Sequence, residues 1–529
     1  MNETPLKPDP PPAALFRIED FLRDASFPHP VIAIELRETH ISWVVLTGTY
    51  AYKIKKAVRL DFLDATALST RRFLCEEELR LNRRLAPELY ESVVTIGRRG
   101  TELRVNGPGS IVEYAVRMRQ FSPAEELTAL LARGDLAAHE LTSLAERLAE
   151  FHASAARPPG GEAYPFLDHL RRSVQGTQAT LLRHLGSMES LPPMGPLIER
   201  IQQSLQALTG RLGERHEQGF VRECHGDLHA GNIVRWGGRL TPFDCVEFDP
   251  LLRFIDPIDD IAFLVMDLTA HGRGDLAYAF LDRYAERTGD YQGLRLLPFY
   301  GAHRALVRAM VDGLAAEQQP EKRHELDRRL RARVSNANAY MTRARPLLLL
   351  THGPSGSGKS WLSERLVSGL PAIRIRSDVE RRRMSGSGID PSRAQDRYSQ
   401  DMTRRTYARL AECAESAVDG GTNIIVDAAF LRGEDRDLLR AVADRGDARF
   451  IIVSCLAAES TMADRIDARL RDRSDPSEAD VSVLRAQLAR LEPLRPDELA
   501  DVIEVDSTAS NAVDALIATL RSRMAQRDA

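Results

Sequence analysis

Residues 225–232 read His-Gly-Asp-Leu-His-Ala-Gly-Asn, and Asp244 follows within Phe243-Asp244-Cys245. An Asp, an Asn five residues on and a second Asp further along form the set that metal-assisted transfer from ATP to a hydroxyl requires. In that reading Asp227 takes the acceptor's proton. Asn232 and Asp244 hold Mg²⁺ against the phosphates, and His225 supports the loop. Two bland readings compete: a metal site from His225 and His229, which the glycine and loop-like composition disfavour, and a purely structural turn. A second run, Gly353-Pro354-Ser355-Gly356-Ser357-Gly358-Lys359-Ser360, fits G-x-x-x-x-G-K-[ST], the Walker A pattern. Its glycines let backbone N–H groups turn toward phosphate oxygens, Lys359 reaches the outer phosphates, and the Ser360 hydroxyl is a Mg²⁺ ligand. LLLLTH before it reads as a buried strand and WLSERLVSGL after it as a helix, a context that a flexible Gly/Ser linker does not need.

Each constellation needs partners. In Tyr50-Ala51-Tyr52-Lys53-Ile54, Lys53 stands where the strand lysine of a V-A-I-K element would be, with small Ala51 placed to pack an adenine. Glu78 shares a helical stripe with Leu74, Leu81 and Leu85, where a carboxylate wants a cation. Lys53–Glu78 is the expected pair, with Lys55 on the same strand face as the alternate; a solvated edge strand is the competing reading. Ile111–Val116 is the expected last strand and hinge, with the backbone of Glu113 and Ala115 against adenine. In the C-terminal half, Asp427 ends the strand NIIVD and is the expected Mg²⁺ partner of Ser360, against a helix-capping alternative. Asp378, followed by Arg381, is placed to orient or deprotonate an acceptor hydroxyl. Arg465 and Arg469 share a helix face and would close over a triphosphate, against a plain solvated Arg-rich face. Lysine occurs only at positions 7, 53, 55, 56, 322 and 359, so four of these six cations fall in the two constellations.

The elements that must position these groups change character along the chain. Residues 1–27 begin with a Pro-rich stretch and are expected as a mostly disordered tail. Residues 28–118 read as strands (Val31–Leu36, Ile41–Leu46, Tyr50–Ile54) with one helix from Thr70 to Leu85. Residues 119–344 read as helical, interrupted by a β-like island at 221–249. Arg323–Arg345 is a charged helical run with little apolar periodicity and is expected as a connector. From 345 to 529, strands at Leu347–Thr351, Ala372–Ser377, Asn423–Asp427 and Phe450–Val453 alternate with helices, the pattern of a parallel α/β sheet.

Composition sets the frame. The 529 residues are enough for about three domains' worth of chain, and 43% apolar with 28% charged residues is an ordinary globular balance. The net charge of −4 disfavours a nucleic-acid coat. The five scattered cysteines contain no C-x-x-C, which argues for a reducing compartment. No apolar run approaches a membrane span. A cytoplasmic location is the expectation.

The N-terminal part, about 28–344, resembles the aminoglycoside phosphotransferase and choline-kinase-like superfamily, the small-molecule branch of the protein-kinase fold. HGDLHAGN carries the resemblance, and Asp256-Pro257-Ile258-Asp259-Asp260-Ile261-Ala262 matches that family's D-P-x-x-D-[LI]-A motif. The chain departs from protein kinases in lacking G-x-G-x-x-G; only Gly48 marks the first hairpin. The C-terminal part, about 346–510, resembles P-loop kinases of the zeta-toxin, gluconate-kinase and polynucleotide-kinase type through GPSGSGKS, Asp378-x-x-Arg381, the strand ending VDAAF and Arg465-x-x-x-Arg469. The order of the two is similar to bacterial bifunctional aminoglycoside phosphotransferase/ATP-binding proteins. The resemblance implies an α+β protein-kinase-like domain followed by an α/β P-loop NTPase domain, using ATP and Mg²⁺ to phosphorylate a hydroxyl of a small molecule, with two nucleotide sites on one chain. Two readings stand as alternatives: a nucleic-acid 5′-end kinase, which the net acidity disfavours, and a non-catalytic ATP-binding regulator of the P-loop domain.

Overall fold

Val, Ile, Trp and Tyr dominate the runs between residues 42 and 119, and alternation along them puts one face of each strand inward. In the computed structural model, which describes residues 16–60, 63–185, 194–342, 345–385, 399–472 and 480–525, they form one antiparallel sheet. Its strands are β1 (Glu35–Glu38), β2 (Ser42–Leu46), β3 (Tyr50–Lys55), β4 (Tyr90–Arg99), β5 (Glu102–Val105) and β6 (Ser110–Arg119), in the order β1-β2-β3-β6-β4-β5. Helix α1 (Leu68–Asn82) packs on β4 and β6, with Leu74, Cys75, Glu78 and Leu81 buried. The expected strand Val31–Leu36 starts only at Glu35. The expected tail ends before residue 27: Ile18–Phe21 is a helical turn whose Phe21 is fully buried in a cluster with Val45, Tyr52 and Ile54. Residues 1–15 lie outside the described residues. The hairpin β7 (Ile233–Trp236) and β8 (Arg239–Pro242) follows the HGDLHAGN loop. These segments, within 16–134, 155–158 and 222–255, make one compact unit.

The second compact unit contains the helical region and the α/β region. Its helices include α2 (Ala138–Ser154), α3 (Phe166–Leu185), α4 (Met194–Glu217), α5 (Pro257–Ala270), α6 (Gly274–Thr288), α7 (Leu297–Gln318) and α8 (Arg323–Tyr340). The D-P-x-x-D-I-A run is structural here. Asp256 caps α5 and pairs with Arg215, while Asp259 pairs with Arg304 through two bonds of 2.7 and 2.9 Å. The expected connector is instead an integral helix: α8 packs along α7 and buries Leu326, Leu330, Val334 and Ala337, a stripe at i, i+4, i+8 and i+11 that the surrounding charges mask. The parallel sheet comprises β9 (Leu347–His352), β10 (Ala372–Arg376), β11 (Asn423–Asp427), β12 (Arg449–Leu456) and β13 (Val502–Asp506), in the order β10-β11-β9-β12-β13. β9 is buried at every position, as a central parallel strand requires. Helix α9 (Lys359–Gly369) starts from the Gly-rich loop; α10 (Ser377–Ser385), α11 (Gln400–Asp419), α12 (Gly433–Arg445), α13 (Glu459–Asp472), α14 (Val481–Leu488) and α15 (Ala512–Ala525) complete the layer structure. All five cysteines are buried thiols. Among the described residues no helix is long and apolar enough to cross a membrane.

Candidate active sites

Lys53 and Lys55 alternate with Ile54, so both leave β3 on the same face. Both reach Glu78, with Lys53 Nζ 2.8 Å from Oε1 and Lys55 Nζ 2.5 Å from Oε2. The expected pair and its alternate are therefore both present. Lys53 also donates to Asp244, and Lys55 to Glu247. Glu78 is closed to solvent. Burial pushes its carboxyl up, but Lys53 and then Lys55 outweigh burial and hold it at about 2. Burial likewise opposes the charge on Lys53, yet Asp244 and Glu78 raise it well above its ordinary value. Asp244 has a left-handed backbone (φ +65°), a conformation that Asp tolerates better than most residues. Its N–H donates to Tyr90 Oη at 3.2 Å, and the next N–H, of Cys245, donates to Asn82 Oδ1 at 2.9 Å.

The HGDLHAGN loop holds itself in shape. The Asn232 amide donates to Asp227 Oδ2 at 2.9 Å and to the Asp227 carbonyl at 3.0 Å. His225 Nε2 donates to the Phe243 carbonyl at 2.9 Å, and its Nδ1 accepts the Asp227 N–H at 3.3 Å. His229 Nδ1 accepts the Gly231 N–H at 3.0 Å, with Nε2 3.4 Å from Asp227 Oδ2. Both imidazoles are thus committed to the loop, which removes the His225/His229 metal reading. Gly226 sits at φ +86°, and a Cβ there would stand 2.7 Å from the Leu252 carbonyl oxygen. Asn232 and Asp244 offer oxygen donors, a set that fits Mg²⁺.

Glu113 and Ala115 depart from expectation. Both lie inside β6, not at its end: Glu113 pairs with Ile96 and Ala115 with Val94 and Ile54. The strand runs on to Arg119, so the segment that leaves the sheet is Gln120–Ser122. The Glu113 side chain instead pairs with Arg71 at 2.8 Å, and its burial raises the carboxyl to about 7. Ala51 is buried among Leu46, Val116 and Met118, with Phe121 and Phe243 beside them.

In the P-loop region a cavity of about 1330 Å³ is lined by Ser355, Gly356, Gly358, Lys359 and Ser360. The same cavity takes in Asp378, Arg381, Asp427, Arg465 and Arg469, so these expected residues converge. Gly353, Pro354 and Ser357 are not among its lining residues; they shape the loop. The Gly353 N–H bonds the Ala429 carbonyl at 3.0 Å, and Pro354 supplies the carbonyl that Lys359 Nζ meets at 2.7 Å. Gly356 (φ +80°) lies so close to Met462 that a Cβ would stand 2.4 Å from its carbonyl oxygen. Burial lowers the Lys359 pKa. Arg465 folds onto the loop, donating to the Gly356 carbonyl at 3.2 Å and to Ser507 Oγ at 2.9 Å. Arg381 meets Asp378 at 3.2 Å. Asp427 Oδ2 accepts the Ser363 hydroxyl at 2.9 Å, and its carboxylate with Ser360 again makes an all-oxygen set suited to Mg²⁺.

Sequence reasoning missed three groups. Glu247 belongs to no motif, but two lysines facing one Glu78 already demanded a second carboxylate. Gln487, whose Oε1 accepts the Ser355 N–H at 2.7 Å, carried no signal. Arg376 lines the cavity and lay unmarked at the end of an expected strand.

Residues 74–297 match the model of a phosphotransferase enzyme family, and residues 348–494 that of an AAA domain. A protein from Mycobacterium tuberculosis (strain ATCC 25618 / H37Rv), described as uncharacterized protein Rv2004c, is 31% identical over 473 residues, covering 87% of this chain and 92% of that one. Uncharacterized protein Mb2027c of Mycobacterium bovis matches to the same extent. Among solved structures, a gluconokinase from Sinorhizobium meliloti 1021 is 23% identical, covers 34% of this chain and 97% of its own, and has a TM-score of 0.27. A choline/ethanolamine kinase family protein from Mesorhizobium loti is 13% identical, covers 61% and 94%, and has a TM-score of 0.38. The chain belongs to the family of these mycobacterial proteins, and in it an aminoglycoside-phosphotransferase-like region precedes a P-loop kinase-like domain.

Proposed function

We propose that this protein is an ATP- and Mg²⁺-dependent phosphotransferase acting on a hydroxyl of a small molecule, with a nucleotide site in each of its two kinase-like regions. One observation supports this reading above others: Lys53, Glu78 and Asp244, far apart in sequence, meet in one ionic cluster. When bound, Mg-ATP supplies the phosphoryl group and the metal charge that offsets the phosphates. Asp227 takes the proton from the acceptor hydroxyl, while the Asn232 amide fixes the Asp227 carboxylate through Oδ2. Glu78 keeps Lys53 charged and aimed. In the P-loop region Lys359, Arg465 and Arg469, which line one cavity, would hold the phosphates, and Asp378 would orient the acceptor hydroxyl.

The test is transfer of labelled γ-phosphate from ATP to a pooled extract of small metabolites, run on the wild type, Asp227→Asn and Lys359→Ala. A labelled product lost in one variant identifies the site responsible. Label released only as inorganic phosphate in all three overturns the small-molecule reading.

A further inference from the structure

Strand β10 is an outer strand of the parallel sheet, and an outer strand presents unpaired backbone groups. Helix α6, from the helical region, lies along it. Asp282 Oδ1 accepts the Arg374 N–H at 2.5 Å, and Glu286 Oε1 stands 3.5 Å from Arg376 Nη1. The spacings match: four residues of helix advance about 6 Å and two residues of strand about 6.6 Å, so carboxylates at i and i+4 meet strand residues at i and i+2. Both carboxylates are nearly closed to solvent, at 9% and 8% exposure.

What the strand does next gives these contacts a further consequence. Arg376 lines the P-loop cavity, and Asp378, the acceptor-facing carboxylate, comes two residues later. The Arg374 guanidinium reaches the Ser360 carbonyl and Ser363 Oγ, each at 3.4 Å, and Ser363 donates to Asp427. Capping an exposed strand edge needs only an acceptor for one N–H. Here Asp282 holds the backbone at Arg374, and Glu286, itself bonded by Arg283 at 2.7 Å through Oε2, turns its other oxygen to the Arg376 guanidinium, so the two buried carboxylates fix the strand at the residues that border the acceptor and metal groups.

We propose that Glu286 and Asp282 are positioning residues of the P-loop site, supplied by a helix outside the P-loop domain. Glu286 sets Arg376 at the acceptor end of the cavity, and Asp282 sets the height of β10 and with it Asp378. The proposal rests on reading the P-loop cavity as a phosphoryl-transfer site.

The experiment uses the full chain in an Asp227→Asn background, so that remaining label comes from the P-loop site. The metabolite extract is titrated by dilution at fixed labelled ATP, and ATP affinity is read separately by displacement of a fluorescent ATP analogue. Glu286→Gln is expected to raise the half-saturating extract concentration about 10-fold while ATP affinity stays within about 2-fold. Glu286→Asp, which keeps the charge, should fall between the two, and Arg376→Gln should reproduce Glu286→Gln without adding to it. An unchanged half-saturation in both Glu286→Gln and Arg376→Gln overturns the proposal. So does a parallel loss of extract and ATP affinity in both, which marks a role in folding alone. Absence of label in the Asp227→Asn background, or label that survives Lys359→Ala in it, overturns the transfer reading of the cavity, and is distinguishable because the Glu286 variants then have nothing to change.

Discussion

At the residue scale, Lys53, Glu78, Lys55 and Glu247 form a buried chain of alternating charge, and its two ends differ in what they face. Lys53 continues to Asp244, whose side chain is 39% exposed, whereas Glu247 is nearly closed to solvent. Substituting either lysine therefore has separable effects. Lys53→Met should abolish transfer at the first site, measured as label lost in a Lys359→Ala background. Lys55→Met strands Glu247 and lowers stability by about 3–5 kcal/mol in urea unfolding, and Lys55→Met with Glu247→Leu recovers much of that loss. Asp227→Asn should cut transfer at the first site by about 10²–10⁴-fold with ATP binding retained, measured by label transfer beside analogue displacement. The Lys53–Glu78 pair was legible because a strand lysine and a carboxylate inside an apolar helical stripe each need the other. Lys55's role was not, because strand alternation gives both lysines the same face and only the depth of Glu78 admits both. Glu113 and Ala115 were misplaced for a related reason. Where β6 ends is decided by its pairing with Tyr50–Ile54, a partner some sixty residues away in the chain, and no local signal reports it.

At the element scale, α8 and α6 show where polar surfaces hide packing. Leu330 and Val334 are buried on α8 although charged residues outnumber leucine and valine along it. Leu330→Ala should lower stability by about 2–5 kcal/mol, measured by chemical denaturation, where a solvated connector would show almost nothing. Asp282 on α6 is pushed up by burial, from 3.8 to about 7, only partly opposed by Arg374. A carboxyl raised in the folded state contributes stability that is complete below its ordinary value and lost as pH rises through the raised one. The protein should therefore lose part of its stability between pH 3.8 and about 7 through this group. Asp282→Asn keeps an oxygen for the Arg374 N–H and should remove that component, so thermal unfolding at pH 5 and at pH 8 should differ less than in the wild type. Four of the five strands of the parallel sheet were readable from their apolar runs and the Gly-rich loop that follows the first; the outer strand β13 was not. Nor was the covering of β10 by α6, because the apolar stripe of α6 (Leu276, Phe280, Leu281, Tyr284) announces a helix but not the strand that its Asp282 and Glu286 meet.

At the scale of the whole molecule, the order of the two kinase-like regions was plain from their motifs, and a change of character near residue 345 marked where one gives way to the other. That the helices from 159 onward and the P-loop domain share one compact unit could not be read in this way, since the contacts joining them are long-range and lean on ionic pairs. The two proposed sites predict two ATP equivalents per chain in equilibrium titration; Lys359→Ala should leave one, and chelation of Mg²⁺ should abolish transfer by both. The shielded strand has one more consequence, for how such a gene can be divided. A polypeptide beginning at residue 346 would carry β10 with its outer edge bare, and bare edges recruit strands from neighbouring chains. Such a piece should self-associate when made alone and become monodisperse when the helical region is supplied as a separate chain. A lineage that split this gene at the apparent boundary would inherit two proteins obliged to find each other again.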